Sequence, residues 1–102
     1  GLPDEKNCYL FNGDFVDRGP CGIEIALVLF CFKMLYPESI FINRGNHEAR
    51  AQNSWMGFED EVFGKYHSEN DFARARTLYN MFGTCFDHLP LVTIISEKVF
   101  VC

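Results

Sequence analysis

Two short apolar runs, Cys8–Asn12 and Ile40–Ile42, each open directly onto a polar loop, and between them lies the long apolar stretch Ile23–Tyr36. No other feature limits the fold as strongly. The runs are rich in β-formers and short enough to be buried strands. Ile23–Tyr36 is interrupted only by Glu24 and Lys33 and is stopped by Pro37; it is long for a strand and suits a helix. Strand, loop, helix, strand, loop is a β-α-β unit, with parallel strands and a right-handed crossover. The fold class is therefore α/β. A helix apolar on nearly every side is expected to be buried on every side.

Further along, Gly57 precedes a short helix over Phe58–Tyr66, and a longer helix runs from about Asp71 to His88. In the longer one Phe72, Ala75, Leu78, Tyr79, Phe82, Phe86 and Leu89 recur at helical spacing. Ser68 and Asp71 offer it an N-terminal capping box, and Pro90 ends it. Leu91–Ile95 and Val99–Cys102 read as a hairpin turning through Ser96–Lys98. The last run stops without a turn signal, and the all-round apolar helix calls for more protein around it. Residues 1–102 are thus expected to be one partial domain, cut at both ends. There is no repeat or low-complexity stretch.

Composition removes several function classes. A length of 102 residues suits one small domain, and 48% hydrophobic content with 11 Phe argues for a core, or for apolar faces meant for neighbours, rather than disorder. The formal charge is −5 and no Lys/Arg run occurs, which argues against nucleic acid and acidic membrane surfaces as partners. The longest unbroken apolar run, Ile25–Phe32, is far short of a membrane span, and no signal or transit peptide is visible. Five Cys at scattered spacing, with no C-x-x-C, read as buried reduced thiols and fit a reducing compartment, the cytoplasm with the nucleus as a further location.

The chemistry sits in the two loops. Ligands of open α/β sheets bind beyond the carboxyl ends of the strands, and two consecutive parallel strands deliver both loops to that edge. Gly13–Gly19 (GDFVDRG) carries two carboxylates and a guanidinium. Asp14, directly after its strand, suits a hard or borderline cation, and Arg18 can fork onto two phosphate oxygens. Gly13 and Gly19 let the backbone turn close to a ligand. In Asn43–Glu48 (NRGNHE), Asn46 offers an amide oxygen to a metal, and His47 can bind metal or carry a proton. Either loop alone also fits an ordinary turn, with Arg18 simply paired to Asp14 or Asp17. Two such loops in consecutive units are harder to dismiss.

Gly13–Gly19 and Arg44–Glu48 (RGNHE) resemble the second and third signature motifs of the phosphoprotein phosphatase family of serine/threonine phosphatases, at similar spacing. The flanks resemble that family across nearly the whole chain. Leu2-Pro3, Leu35-Tyr36-Pro37, Gly57-Phe58, Lys65-Tyr66 and Leu89-Pro90-Leu91 are most similar to its phosphatase-5 branch and EF-hand-bearing relatives. The resemblance implies part of a calcineurin-like metallophosphoesterase fold, a β-sandwich flanked by helices. It also implies hydrolysis of phosphoserine and phosphothreonine in proteins by a water activated between two divalent metal ions, Mn or Fe and Zn. On this analogy Asp14 bridges both metals, Asn46 ligates the second, and His47 protonates the departing oxygen. Asp17 orients His47, Arg18 grips the phosphate, and Arg44 and Glu48 brace the loop from behind.

The family's Gly-Asp-x-His-Gly motif and its later His and Arg residues have no counterpart here, so the isolated segment is expected to be nearly inactive. His67 and His88 match none of those positions and read as surface or helix-end residues. Trp55 and Met56 read as packing, and Glu59-Asp60-Glu61 as a solvated helix face. Phosphoprotein substrates are the expected partners; regulatory domains or subunits stay open. Two other readings remain: a metallophosphoesterase of another substrate class, such as a dinucleoside polyphosphate hydrolase, and a non-catalytic pseudophosphatase. The Val16-Asp17-Arg18-Gly19 stretch and the flanks weigh against the first, the intact motifs against the second.

Overall fold

Apolar, mostly aromatic or β-branched residues form the two strands of the expected unit, β1 (Tyr9–Phe11) and β2 (Ile40–Ile42). They pair in parallel, Tyr9 opposite Ile40 and Phe11 opposite Ile42, and α1 (Gly22–Leu35) connects them. The computed structural model describes residues 1–67 and 71–102. After β2 come a 3-10 turn at Asn46–Glu48, then α2 (Arg50–Met56), α3 (Phe58–Tyr66) and α4 (Phe72–Asp87), and finally a hairpin of β3 (Thr93–Ile95) and β4 (Val99–Val101).

The larger core forms where α1, α3 and α4 meet the first polar loop. Phe58 is fully buried at its centre, with ring centroids 5.4 Å from Phe82, 5.7 Å from Phe86 and 6.3 Å from Tyr79. Ile23 and Ala26 of α1, Val62 of α3 and Val16 of the loop close around this cluster. Leu29, Ile40 and Ile42 make a smaller core under the strands, and Phe15, Phe30 and Leu89 pack against both. Loop residues therefore belong to the core, which ties their backbone to the helices.

Several expectations are corrected. Helix α1 is buried on one side only, where β2, α3, the aromatic residues of α4 and the first loop cover it. Val28 and Met34, on its other faces, are 53% and 83% exposed. All five Cys are exposed and unpaired rather than buried, since Cys8, Cys31 and the others stand on faces that these elements leave open. Trp55 is 68% exposed and packs in no core; its indole N–H donates to the Ala51 carbonyl one turn back. Helix α2 has no apolar period to announce it, because the residue it buries is the polar Asn53. Asp71 caps α4 by accepting from the Arg74 N–H at 3.1 Å, while Ser68, the other half of the expected box, lies outside the described residues.

The hairpin is held at the carboxyl ends of β1 and β2 by two asparagines. Asn43 donates to the Asn12 side-chain oxygen and the Val101 carbonyl at 2.9 and 3.1 Å, and accepts from the Thr93 hydroxyl at 2.7 Å. Asn12 donates in turn to the Cys102 carbonyl. The turn carries positive φ at Ser96 and Glu97, the left-handed geometry that matches strand twist in tight hairpins. No helix among the described residues is long and apolar enough to cross a membrane. Truncation of Phe58 to Ala should lower unfolding free energy by about 3–5 kcal/mol, whereas Trp55→Ala should change it by less than about 0.5 kcal/mol; urea unfolding of both variants checks this.

Candidate active site

A buried carboxylate joins the backbones of the two polar loops. Glu48 is 1% exposed and accepts from the backbone N–H groups of Asp14 (2.7 Å), Phe15 (2.8 Å) and Val16 (3.3 Å), as well as its own loop's Gly45 (2.8 Å). Successive N–H groups converging on an anion form a nest. The nest exists because the loop backbone is unusual: Gly13, Asp14, Asp17 and Arg18 all have positive φ, 78°, 57°, 67° and 57°. Each non-glycine residue in that region costs about 1–2 kcal/mol, less for Asp, whose short side chain tolerates it. The charge-assisted bonds to Glu48, each about 1.5–3 kcal/mol, offset that cost.

The loops also touch through glycines. A Cβ on Gly13 would lie 2.2 Å from the Gly45 nitrogen, and one on Gly45 would lie 2.2 Å from an Asp14 carboxylate oxygen. Only hydrogen atoms fit in that contact. Gly19, by contrast, has open space around it and no positive φ, so the turn does not require a glycine there.

This contact brings the predicted residues together. Asp14 Oδ1 accepts the His47 backbone N–H at 3.1 Å. His47 Nδ1 stands 2.7 Å from Asp17 Oδ2, with side chains 5% and 0% exposed. The other Asp17 oxygen accepts the Phe58 N–H at 2.8 Å, which fixes the carboxylate at the start of α3. A carboxylate opposite Nδ1 selects the tautomer with the proton on Nδ1. Among the described residues Nε2 has no protein partner and no buried side-chain N or O is left unpaired, so Nε2 reaches solvent. Asp14, Arg18 and Asn46, on the two loops, are exposed. Arg18 pairs with neither Asp14 nor Asp17; its guanidinium has no carboxylate partner among the described residues.

The donor chemistry fits a divalent cation in kind. Among the described residues Asp14 keeps one carboxylate oxygen clear of protein hydrogen bonds, and the neighbouring Asn46 amide oxygen has no partner. In number the donors fall short, since no group of three or more His, Cys, Asp or Glu is placed to hold a metal among the described residues.

Arg44 supports the turn from outside. It donates from Nε to the Glu48 carbonyl at 3.3 Å and pairs through Nη2 with Asp87 of α4 at 2.6 Å. Two supports have no expectation behind them. The Glu61 carboxylate is not on a solvated face: it accepts the Gly22 and Ile23 N–H groups, both at 3.1 Å, and so caps α1, whose own N-cap Cys21 makes no side-chain bond. Lys65 holds Glu61 at 2.8 Å and Glu24 at 2.7 Å and donates to the Pro20 carbonyl; these two carboxylates, Glu24 first, hold its amine above the usual lysine range. Only the i, i+4 spacing of Glu61 and Lys65 hinted at this in the sequence. The second support is Asn53, buried between His47 and Tyr79, for which the sequence carries no signal. His67 and His88 cap the ends of α3 and α4, as expected. An apolar recess of about 260 Å³ between the N-terminal residues and α1, lined by Leu2, Tyr9, Val28 and Phe32, includes none of the site residues.

Known proteins resemble this chain over nearly its whole length. The family model described as calcineurin-like phosphoesterase matches residues 1–102. Serine/threonine-protein phosphatase 5 of Arabidopsis thaliana is 48% identical over 101 residues, which is 99% of this chain and 17% of that protein. Serine/threonine-protein phosphatase T of Saccharomyces cerevisiae and serine/threonine-protein phosphatase 5 of Homo sapiens are each 46% identical over the same share of the chain, and 18% and 19% of their own lengths. The chain thus spans about a fifth of the length of these curated relatives. A solved Saccharomyces cerevisiae protein serine/threonine phosphatase, described as similar to human phosphatase PP5, superposes with a TM-score of 0.87 at 44% identity, covering 98% of this chain and 29% of that one.

Replacing Glu48 by Gln keeps its shape but removes the charge that four N–H groups share. The substitution should cost about 1.5–3 kcal/mol and speed amide exchange at Asp14 and Phe15 more than in α4. Site-resolved hydrogen exchange measures both, and unchanged protection at Phe15 would contradict the assignment.

Proposed function

Since the chain belongs to the calcineurin-like phosphoesterase family, we propose that it forms part of the active site of a protein serine/threonine phosphatase, acting on phosphoserine and phosphothreonine within a longer catalytic domain. The observation that carries the reading is the buried His47–Asp17 pair, 2.7 Å apart, presenting Nε2 to solvent beside Asp14 and Asn46. Relatives that bear the serine/threonine phosphatase name along 99% of this chain support the substrate class.

Each residue has a job its chemistry suits. Asp14 and Asn46 would hold metal through oxygen, and the family resemblance assigns Asp14 to both of two ions, Mn or Fe and Zn. Bound there, the ions would supply Lewis-acid charge against the phosphate and a nucleophilic water at neutral pH. Arg18, with its fork unengaged, binds two phosphate oxygens and orients the ester. In the donor role His47 is doubly protonated, keeping the Nδ1 proton toward Asp17 and passing the Nε2 proton to the seryl or threonyl oxygen as the ester bond breaks. Asp17 keeps the ring turned so that Nε2 faces outward. Glu48 and Arg44 keep the two loops in register without touching substrate.

Three outcomes are expected in the full-length protein and its segment. His47→Asn lowers kcat on a phosphoserine peptide by about 10²–10⁴-fold with little change in KM. Asp14→Asn weakens Mn²⁺ binding measured by titration calorimetry, since a charged donor becomes neutral. The isolated 102-residue chain shows no turnover above buffer, because metal affinity rises with donor number. A fully active His47→Asn enzyme would remove the proton-transfer role. Preference for a dinucleoside polyphosphate over phosphopeptides would replace the substrate class.

A further inference from the structure

We propose that Asn53 and Tyr79 are positioning residues for His47, a buried hydrogen-bonded pair that fixes the proton-carrying turn to helix α4. The inference rests on the reading of His47 given above and extends it to residues outside both signature loops.

Asn53 lies on α2 and is 1% exposed. Its amide N–H donates to the His47 carbonyl at 3.0 Å, and its oxygen accepts the Tyr79 hydroxyl at 2.6 Å. Tyr79 is 4% exposed in the main core, and burial pushes its phenol up, so it remains an O–H donor across the neutral range. The His47 carbonyl can only accept, so the Asn53 nitrogen must face it, and the amide oxygen then receives the Tyr79 hydroxyl. One bond thereby determines the other.

The pair completes the restraint of one residue. His47 is held at its N–H by Asp14, at its ring by Asp17, and at its carbonyl by Asn53. The first two restraints come from the loop after β1, and only the third reaches α4. Arg50, one turn before Asn53, secures α2 on the same helix by donating to the Asn80 side-chain oxygen at 2.8 Å and lying over the Tyr79 ring. A buried amide serves packing poorly, because every polar atom in it must be matched. Here both partners are matched, and one is the backbone of the residue assigned the proton transfer.

Two near-isosteric substitutions test this in the full-length protein. Asn53→Asp keeps the shape and the acceptor but loses the donor to His47. Tyr79→Phe removes one hydroxyl and leaves that donor in place, free to turn. Asn53→Asp should lower kcat about 10- to 100-fold at constant metal content with KM within about twofold, and Tyr79→Phe should lower it by less. Amide exchange at His47 and Glu48 should quicken in the same order. Unchanged kcat per metal-loaded site, even alongside a lower melting temperature, would overturn the inference and leave the phosphatase reading standing. An inactive wild type would overturn that reading, and the positioning role with it. The exchange data would then still decide whether the pair holds the turn.

Discussion

The carboxylate of Glu48 is the constraint on which the rest depends. It sits in the backbone of a loop more than thirty residues away in sequence and gathers that loop's N–H groups around one negative charge. Without it, three non-glycine residues in left-handed conformations would have little to hold them there. With it, the strain becomes useful. The same backbone path that feeds N–H groups to Glu48 turns the Asp17 carboxylate inward onto the His47 ring and leaves Asp14 and Arg18 outside.

The helices act as the frame for this arrangement. Helix α3 touches the first loop at two points: its Phe58 N–H binds Asp17, and its Glu61 caps α1 just beyond the loop's end. Helix α4 holds the second loop through Arg44–Asp87 and through Asn53–Tyr79. Because α3 and α4 share the aromatic cluster around Phe58, the anchors of the two loops meet in one packed core. Displacing that cluster would move both loops.

Much of this was legible in the sequence, and what was not has a physical reason. The positions of the strands and of every helix but α2 followed from local period and punctuation, and α3 begins and ends where Gly57 and the spacing placed it. Asp14, Asp17, Asn46 and His47 stood out because glycine-bounded loops after apolar strands seldom carry so many ligating groups. Burial was harder to read. Glu61 looked like one of three surface acids, and its partners Gly22 and Ile23 are nearly forty residues away. Cysteines in apolar runs looked buried, yet whether an apolar face is covered depends on neighbours that a local window does not contain. Asn53 carried no signal, since a buried amide is recognisable only from the groups that satisfy it.

The long sequence separation of the Glu48 hydrogen bonds bears on how the site comes into being. A bond between Asp14 and Glu48 closes a loop that includes the whole of α1 and β2. Loop closure of that span must be met before any of the bonds from Asp14, Phe15 and Val16 returns energy. The parallel pairing of β1 with β2 spans nearly the same stretch, so once Phe11 lies beside Ile42 the closure cost is already met and the Glu48 bonds add little to it. The strand pair and the His47–Asp17 pair thus depend on one and the same closure of the chain.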